Sequence, residues 1–271
     1  PESGFASITI YSMAGLKMPP FPEDRFLAAV KQVVHLNKEI GFAPAWDDEW
    51  EKDDFVYAAS VYIRPFSYSE AGIGLNLSNH PSVVIITTPV TAYFDPKAGN
   101  AAVTTNMVRA TPHGTGWIKC AANYVIPILA KKQGIADGFM EVIFLDSLEH
   151  KWVEEGSSCN IFFAMKSGTL VTPELADRVL PGINRMSVIE LARREGVSVE
   201  ERPVSIDEVM ENAVECFVTG TAAGVTPISS ITHDGRTNTM GNGELGHHLQ
   251  TWLRGIQYGV RKDEFGWMHR V

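Results

Sequence analysis

From Glu23 to Ile40 the apolar side chains Phe26, Leu27, Val30, Val33, Val34 and Leu36 form one stripe, which predicts an amphipathic helix opened by an acidic pair and stopped at Gly41. The period then shortens. Apolar and polar residues alternate from Phe55 to Tyr68 as in a strand, with Arg64-Pro65 towards its end. Ser82 to Val90, rich in β-branched residues and bounded by Pro81 and Pro89, reads as a buried strand. The turn-forming run Phe94 to Asn100 follows and is the best boundary in the chain. The expectation is two domains meeting near residue 96: a small, incomplete N-terminal domain over 1–96 and a larger one over 97–271.

Beyond the boundary the pattern mixes helix and strand. Asn123 to Gln133 reads as a short helix with Pro127 in its first turn and Gly134 as its stop. Glu141 to Asp146 is a strand, and Asn160 to Met165 pairs with Thr169 to Thr172 across Lys166-Ser167-Gly168. Asn184 to Glu195 is a helix that turns Val188, Ile189 and Leu191 inward and ends at Gly196. Glu215 to Thr219 feeds Gly220-Thr221-Ala222-Ala223-Gly224, whose small residues allow a ligand to approach the backbone.

Composition narrows the function. A formal charge of -9 without a basic run argues against nucleic acid. No apolar stretch is long enough for a membrane span, and no signal segment opens the chain. Three widely spaced cysteines suit reduced thiols, so the expectation is a soluble intracellular protein, of cytoplasm or mitochondrion. The histidines show no ligand spacing, and no structural zinc is expected.

The chemistry concentrates in Glu155-Gly156-Ser157-Ser158-Cys159-Asn160-Ile161-Phe162, followed by Leu170-Val171-Thr172 and Leu180-Pro181-Gly182-Ile183-Asn184-Arg185. This reads as a carboxylate entering a strand, then a hairpin, then a turn opening a helix. A carboxylate can hold a pyridinium nitrogen, and N–H groups at a helix start can hold a phosphate. A phosphorylated aromatic cofactor fits both ends, and pyridoxal 5'-phosphate is the expected one.

Glu155 to Arg185 resembles the class IV aminotransferase signature over its whole length. Lys119-Cys120-Ala121-Ala122-Asn123-Tyr124 is similar to the family's lysine motif, and Gly220-Thr221-Ala222 to its Gly-Thr-Ala turn. Tyr62-Ile63-Arg64-Pro65 and Ala92-Tyr93-Phe94 resemble segments of the branched-chain amino-acid aminotransferases, with similarity running from Met18 to the C-terminal Trp267.

The resemblance implies an α/β, fold type IV chain of two domains: a smaller N-terminal α/β domain and a larger C-terminal pseudo-barrel that binds pyridoxal 5'-phosphate. It implies a homodimer that transfers amino groups from leucine, isoleucine and valine to 2-oxoglutarate. Lys119 would bind the cofactor through its amine and later move the α-proton. Glu155 would hold the ring nitrogen, selected over Glu154 by its spacing to Asn160, and Tyr124 the phenolic oxygen. Ser158 would lie beside the cofactor, while Ile183, Asn184 and Thr221 would hold the phosphate. Tyr62, Arg64, Tyr93, Thr221 and Ala222 would meet substrate, Arg64 taking the side-chain carboxylate of glutamate.

This chain departs from the pattern in three places. Ala121-Ala122 replaces Gly-Gly, which is expected to crowd the backbone and tilt the helix carrying Tyr124. Asn184 replaces a threonine. The family's phosphate-pairing arginine has no counterpart in Pro1 to Pro22, so the chain reads as a trimmed form. Alternatives are a D-amino-acid transaminase, an aminodeoxychorismate-type lyase, or a truncated non-catalytic paralogue serving as a subunit.

Overall fold

A computed structural model describes residues 4–52, 55, 57–91 and 100–271. Tyr93 and most of the turn-forming run after it lie outside them. Two compact units emerge, Pro1–Tyr93 with Lys262–Val271, and Phe94–Arg261. The C-terminal segment thus groups with the first unit, whereas the sequence assigned it to the second.

The first unit contains α1 (Gly4–Gly15), α2 (Glu23–Glu39), the single turn α3 (Glu49–Lys52), and the antiparallel pair β1 (Ser60–Tyr68) and β2 (Ser82–Val90). Helix α2 buries Phe26 and Val30 against Ile10, Ile63, Val83 and Ile85. Leu36, expected inside, is half exposed, because the buried contacts of α2 are made by Phe26 and Val30 in its first half. The strand expected from Phe55 begins only at Ser60. Phe55 has a left-handed φ of 60° and donates its N–H to the Trp50 carbonyl, so it closes a turn. Strand β2 is not buried as expected: none of its residues is fully covered, because it belongs to a two-stranded sheet packed on one face.

The register fixes what the other face carries. Directly paired residues share a face, so Tyr62, Arg64, Phe66 and Tyr68 lie with Val84, Ile86 and Thr88, opposite the α2 contacts. Phe66, Tyr68 and Ile86 are each more than 40% exposed.

The second unit contains β3 (Ala101–Thr105), α4 (Val125–Ala136), β4 (Glu141–Leu145), β5 (Val153–Gly156), β6 (Asn160–Met165), β7 (Leu170–Thr172), α5 (Ile183–Arg194), β8 (Val199–Glu201), α6 (Ile206–Asn212), β9 (Ala213–Gly220), β10 (Gly224–Ile228), β11 (Ser230–His233), β12 (Arg236–Thr239) and α7 (Glu244–Gln257). They build two five-stranded sheets, ordered β10-β9-β6-β7-β8 and β12-β11-β3-β4-β5. Ile161, Phe163, Met165 and Val218 join Ile143, Leu145 and Ile231 in one core. Phe162 and Phe217 point the other way and stack at 5.1 Å, so β6 is covered on both faces and reads as a continuous apolar run.

Gly134 does not stop its helix. It is buried inside α4, where a Cβ would stand 2.7 Å from Val142 Cγ2, so the glycine lets α4 seat against β4. A short 3₁₀ turn, Ala121–Tyr124, precedes that helix where the sequence suggested an α-helical start.

Candidate active site

Glu155 lies in the buried strand β5, next to its end, and is 5% exposed. Its Oε1 faces Arg109 Nη2 at 3.0 Å, and its Oε2 accepts from Leu180 N at 3.1 Å and Asn160 Nδ2 at 3.3 Å. Burial pushes its carboxyl up to about 7, opposed by the Arg109 charge, the Leu180 N–H and the charge of Lys119. Glu154, on the opposite face of the strand, is held by Arg178 Nε at 2.6 Å and is likewise raised by burial to about 7.

Lys119 stands exposed at the end of a loop, with Nζ donating to Tyr124 Oη at 2.6 Å and lying over the tyrosine ring. The buried Asn123 holds that loop: its Nδ2 donates to Thr115 O at 2.6 Å and Ile118 O at 2.8 Å. Ala121 and Ala122 are exposed, and Tyr124 reaches the lysine despite them.

The start of α5 supplies a third element. Its N-cap, Gly182, offers no side-chain acceptor to the first N–H groups of Ile183 and its neighbours, so those donors suit an anion. Asn184 is not simply a threonine with its hydroxyl missing. Its Nδ2 donates to Gly220 O at 2.9 Å and ties the helix start to the Gly-Thr-Ala turn, where Thr221 is exposed and Ala222 half-buried. Ser158 is exposed in the turn between β5 and β6, and Glu141 braces that turn by accepting from Ser157 N at 3.0 Å.

Lys119, Tyr124, Glu155, Ser158, Ile183, Asn184, Thr221 and Ala222 therefore belong to one unit. Tyr62 and Arg64 belong to the other, on one strand, with the guanidinium 5.3 Å from the ring centroid. Tyr93 lies outside the described residues. Sequence reasoning missed Arg109, whose Nη2 also donates to the carbonyls of Gly116 and Arg178, so that one cation joins the lysine loop to Glu155. No spacing rule connects it to that carboxylate.

The donor set fits pyridoxal 5'-phosphate: a buried carboxylate for a ring cation, an exposed amine for an aldehyde, a hydroxyl beside it, and an uncapped helix start with Thr221 for the phosphate. Among the described residues no group of three or more His, Cys, Asp or Glu could hold a metal ion.

Residues 12–231 match the family Amino-transferase class IV. A branched-chain-amino-acid aminotransferase of Mycolicibacterium smegmatis is 36% identical over 100% of this chain and 74% of its own length. A probable branched-chain-amino-acid aminotransferase of Staphylococcus aureus is 37% identical, over 98% of this chain and 74% of its own. The branched-chain aminotransferase of Thermoproteus uzoniensis, solved with norvaline, superposes with a TM-score of 0.78 at 27% identity, covering 95% of this chain and 79% of that one. The branched-chain amino acid aminotransferase of Thermobaculum terrenum, solved in its PLP-form, gives 0.74 at 27% identity, with 94% and 78% covered.

Proposed function

We infer the reaction from the premise that this chain belongs to the class IV aminotransferases and, within them, to the branched-chain amino-acid aminotransferases. It is a pyridoxal-phosphate-dependent transferase of fold type IV. We propose leucine, isoleucine and valine as its amino donors and 2-oxoglutarate as acceptor, by the residues named above. The observation that carries this reading is the Lys119 amine at 2.6 Å from the Tyr124 hydroxyl, in the same unit as the buried Glu155.

Pyridoxal 5'-phosphate, when bound, supplies an aldehyde that takes up and returns the amino group and a cationic ring that spreads negative charge. Glu155 would hold the ring nitrogen and keep it protonated through a charge-assisted hydrogen bond, and Arg109 fixes that carboxylate through its contact with Oε1 at 3.0 Å. Tyr124 orients the cofactor's phenolic oxygen. Lys119 would hold the cofactor through its amine and would serve as the base that moves the proton at the substrate α-carbon. Ile183, Asn184 and Thr221 hold the phosphate, Ser158 lines the same end, and Thr221 and Ala222 present N–H groups to the substrate carboxylate.

The open face of β1 and β2 suits the side-chain pocket, since it joins Tyr62 and apolar neighbours to one cation, Arg64. Tyr93 is assigned to the same pocket by resemblance. We also propose a homodimer. Val125, Ile128, Leu129 and Ile135 leave α4 with side chains more than half exposed, a face that a second copy would cover. Three free thiols and the absence, among the described residues, of a helix able to cross a membrane support a soluble intracellular setting. Incubating the cofactor-loaded chain with leucine and 2-oxoglutarate tests the reaction. Glutamate and the branched 2-oxo acid are expected together, and their absence with cofactor bound would overturn the substrate assignment.

A further inference from the structure

Asn160 opens β6 beside Thr219 of β9 and is 5% exposed. Its Nδ2 donates in two directions, to Glu155 Oε2 at 3.3 Å and to Leu180 O at 2.9 Å. Leu180 N in turn donates to Glu155 Oε2 at 3.1 Å. One amide therefore bridges the carboxylate to the loop that leads into α5.

The other end of the amide meets the same loop two residues later. A Cβ added to Gly182 would stand 2.1 Å from Asn160 Oδ1, closer than any contact atoms tolerate. Gly182 has an ordinary φ of -66°, so glycine is required there for space and not for backbone conformation. The Asn160 side chain occupies the volume that any other residue at 182 would fill, and it sets how far the start of α5 stands from β5.

We propose that Asn160 is a positioning residue that fixes the spacing between Glu155 and the anion-binding start of α5. The inference rests on the reading of these two ends as holders of the cofactor's ring nitrogen and phosphate. A ligand that engages both ends gains from their fixed spacing, because the second contact is made within an already bound molecule. A ligand that engages one end does not. Loosening the bridge should therefore weaken two-ended ligands selectively, whereas simple loss of fold weakens all ligands together.

The test uses the cofactor-free chain with three probes: pyridoxal phosphate, pyridoxal and inorganic phosphate. For Asn160→Ser, with one hydrogen-bonded bridge removed, affinity for pyridoxal phosphate is expected to fall by about tenfold. Affinities for pyridoxal and for phosphate should stay within about twofold, since neither spans the bridge. Pyridoxal closes largely to its internal hemiacetal and pyridoxal phosphate cannot, so each probe is compared only with itself between chain and variant, where that difference cancels. Gly182→Ala, which pushes the amide aside without deleting it, is the second variant and should give the same selective loss. A parallel fall for all three probes, or unchanged affinity for pyridoxal phosphate in both variants, would overturn the proposal. Failure of the unaltered chain to bind pyridoxal phosphate would overturn the cofactor assignment as well, which separates the two results.

Discussion

Arg109 and Glu155 meet at 3.0 Å with side chains 4% and 6% exposed, so each neutralises a charge that water cannot reach. Removing one member strands the other. Arg109→Met is expected to cost about 3–5 kcal/mol of unfolding free energy, the range for a buried pair broken on one side. Glu155→Gln, which keeps the shape and leaves Arg109 its carbonyl partners, should cost less stability while lowering turnover by powers of ten. Denaturant unfolding of the cofactor-free variants, set beside single-turnover rates, checks both. Equal stability losses would mean that Glu155 serves the fold more than the chemistry.

The two neighbouring carboxyls make stability depend on pH. Glu154 and Glu155 titrate near 4.5 when unfolded and are raised by burial to about 7 in the folded chain. Between those values the folded state holds more protons than the unfolded one, so their contribution to stability falls as pH rises through the window and is flat above it. The cofactor-free chain should therefore show a downward slope in thermal midpoint between them that Glu155→Gln partly removes. Bound cofactor should reduce the slope too, because a ring cation beside Glu155 pulls its carboxyl back down. Identical slopes in the chain and the variant would show that Glu155 stays ionised throughout.

Arg64 shares its sheet face with Tyr62 and Ile86, and its guanidinium lies over the Tyr62 ring, with no carboxylate among the described residues of that face. If it receives the side-chain carboxylate of glutamate, Arg64→Gln should weaken the half-reaction with 2-oxoglutarate by about tenfold to a hundredfold and largely spare that with leucine. Equal losses in both half-reactions would assign Arg64 to the sheet alone.

What the sequence made legible was local. The strand β6, the helix α5 and the Pro-Gly entry to it follow from patterns spanning a few residues, and the structure sets Lys119 against Tyr124 within one loop and turn. Non-local contacts left no such trace. Arg109 is an ordinary basic residue until folding carries it to Glu155, and Asn184 looked like a lost hydroxyl until its amide reached Gly220. Gly134 was misread for another reason: a glycine that ends a helix and one that admits a neighbouring strand are the same letter. Burial of β2 failed because an apolar run does not say whether a second layer covers it.

The close seat of α4 gives a stability prediction free of the chemistry. Gly134→Ala would gain helix propensity but force a methyl to within 2.7 Å of Val142 Cγ2, and the clash should win, costing about 1–3 kcal/mol. The paired variant Gly134→Ala with Val142→Ala should recover part of the loss in thermal unfolding. A stabilised single variant would show that α4 shifts freely on β4.

Lys119 carries the central claim, and its replacement tests it most directly. The unaltered chain, supplied with pyridoxal phosphate and purified from the excess, should show the visible absorbance of lysine-bound cofactor and retain the cofactor covalently after borohydride reduction, at Lys119 by peptide mapping. Lys119→Ala should lose both, and the exposed Lys132→Ala should lose neither. Covalent cofactor found on any other lysine, or full absorbance in Lys119→Ala, would contradict the account.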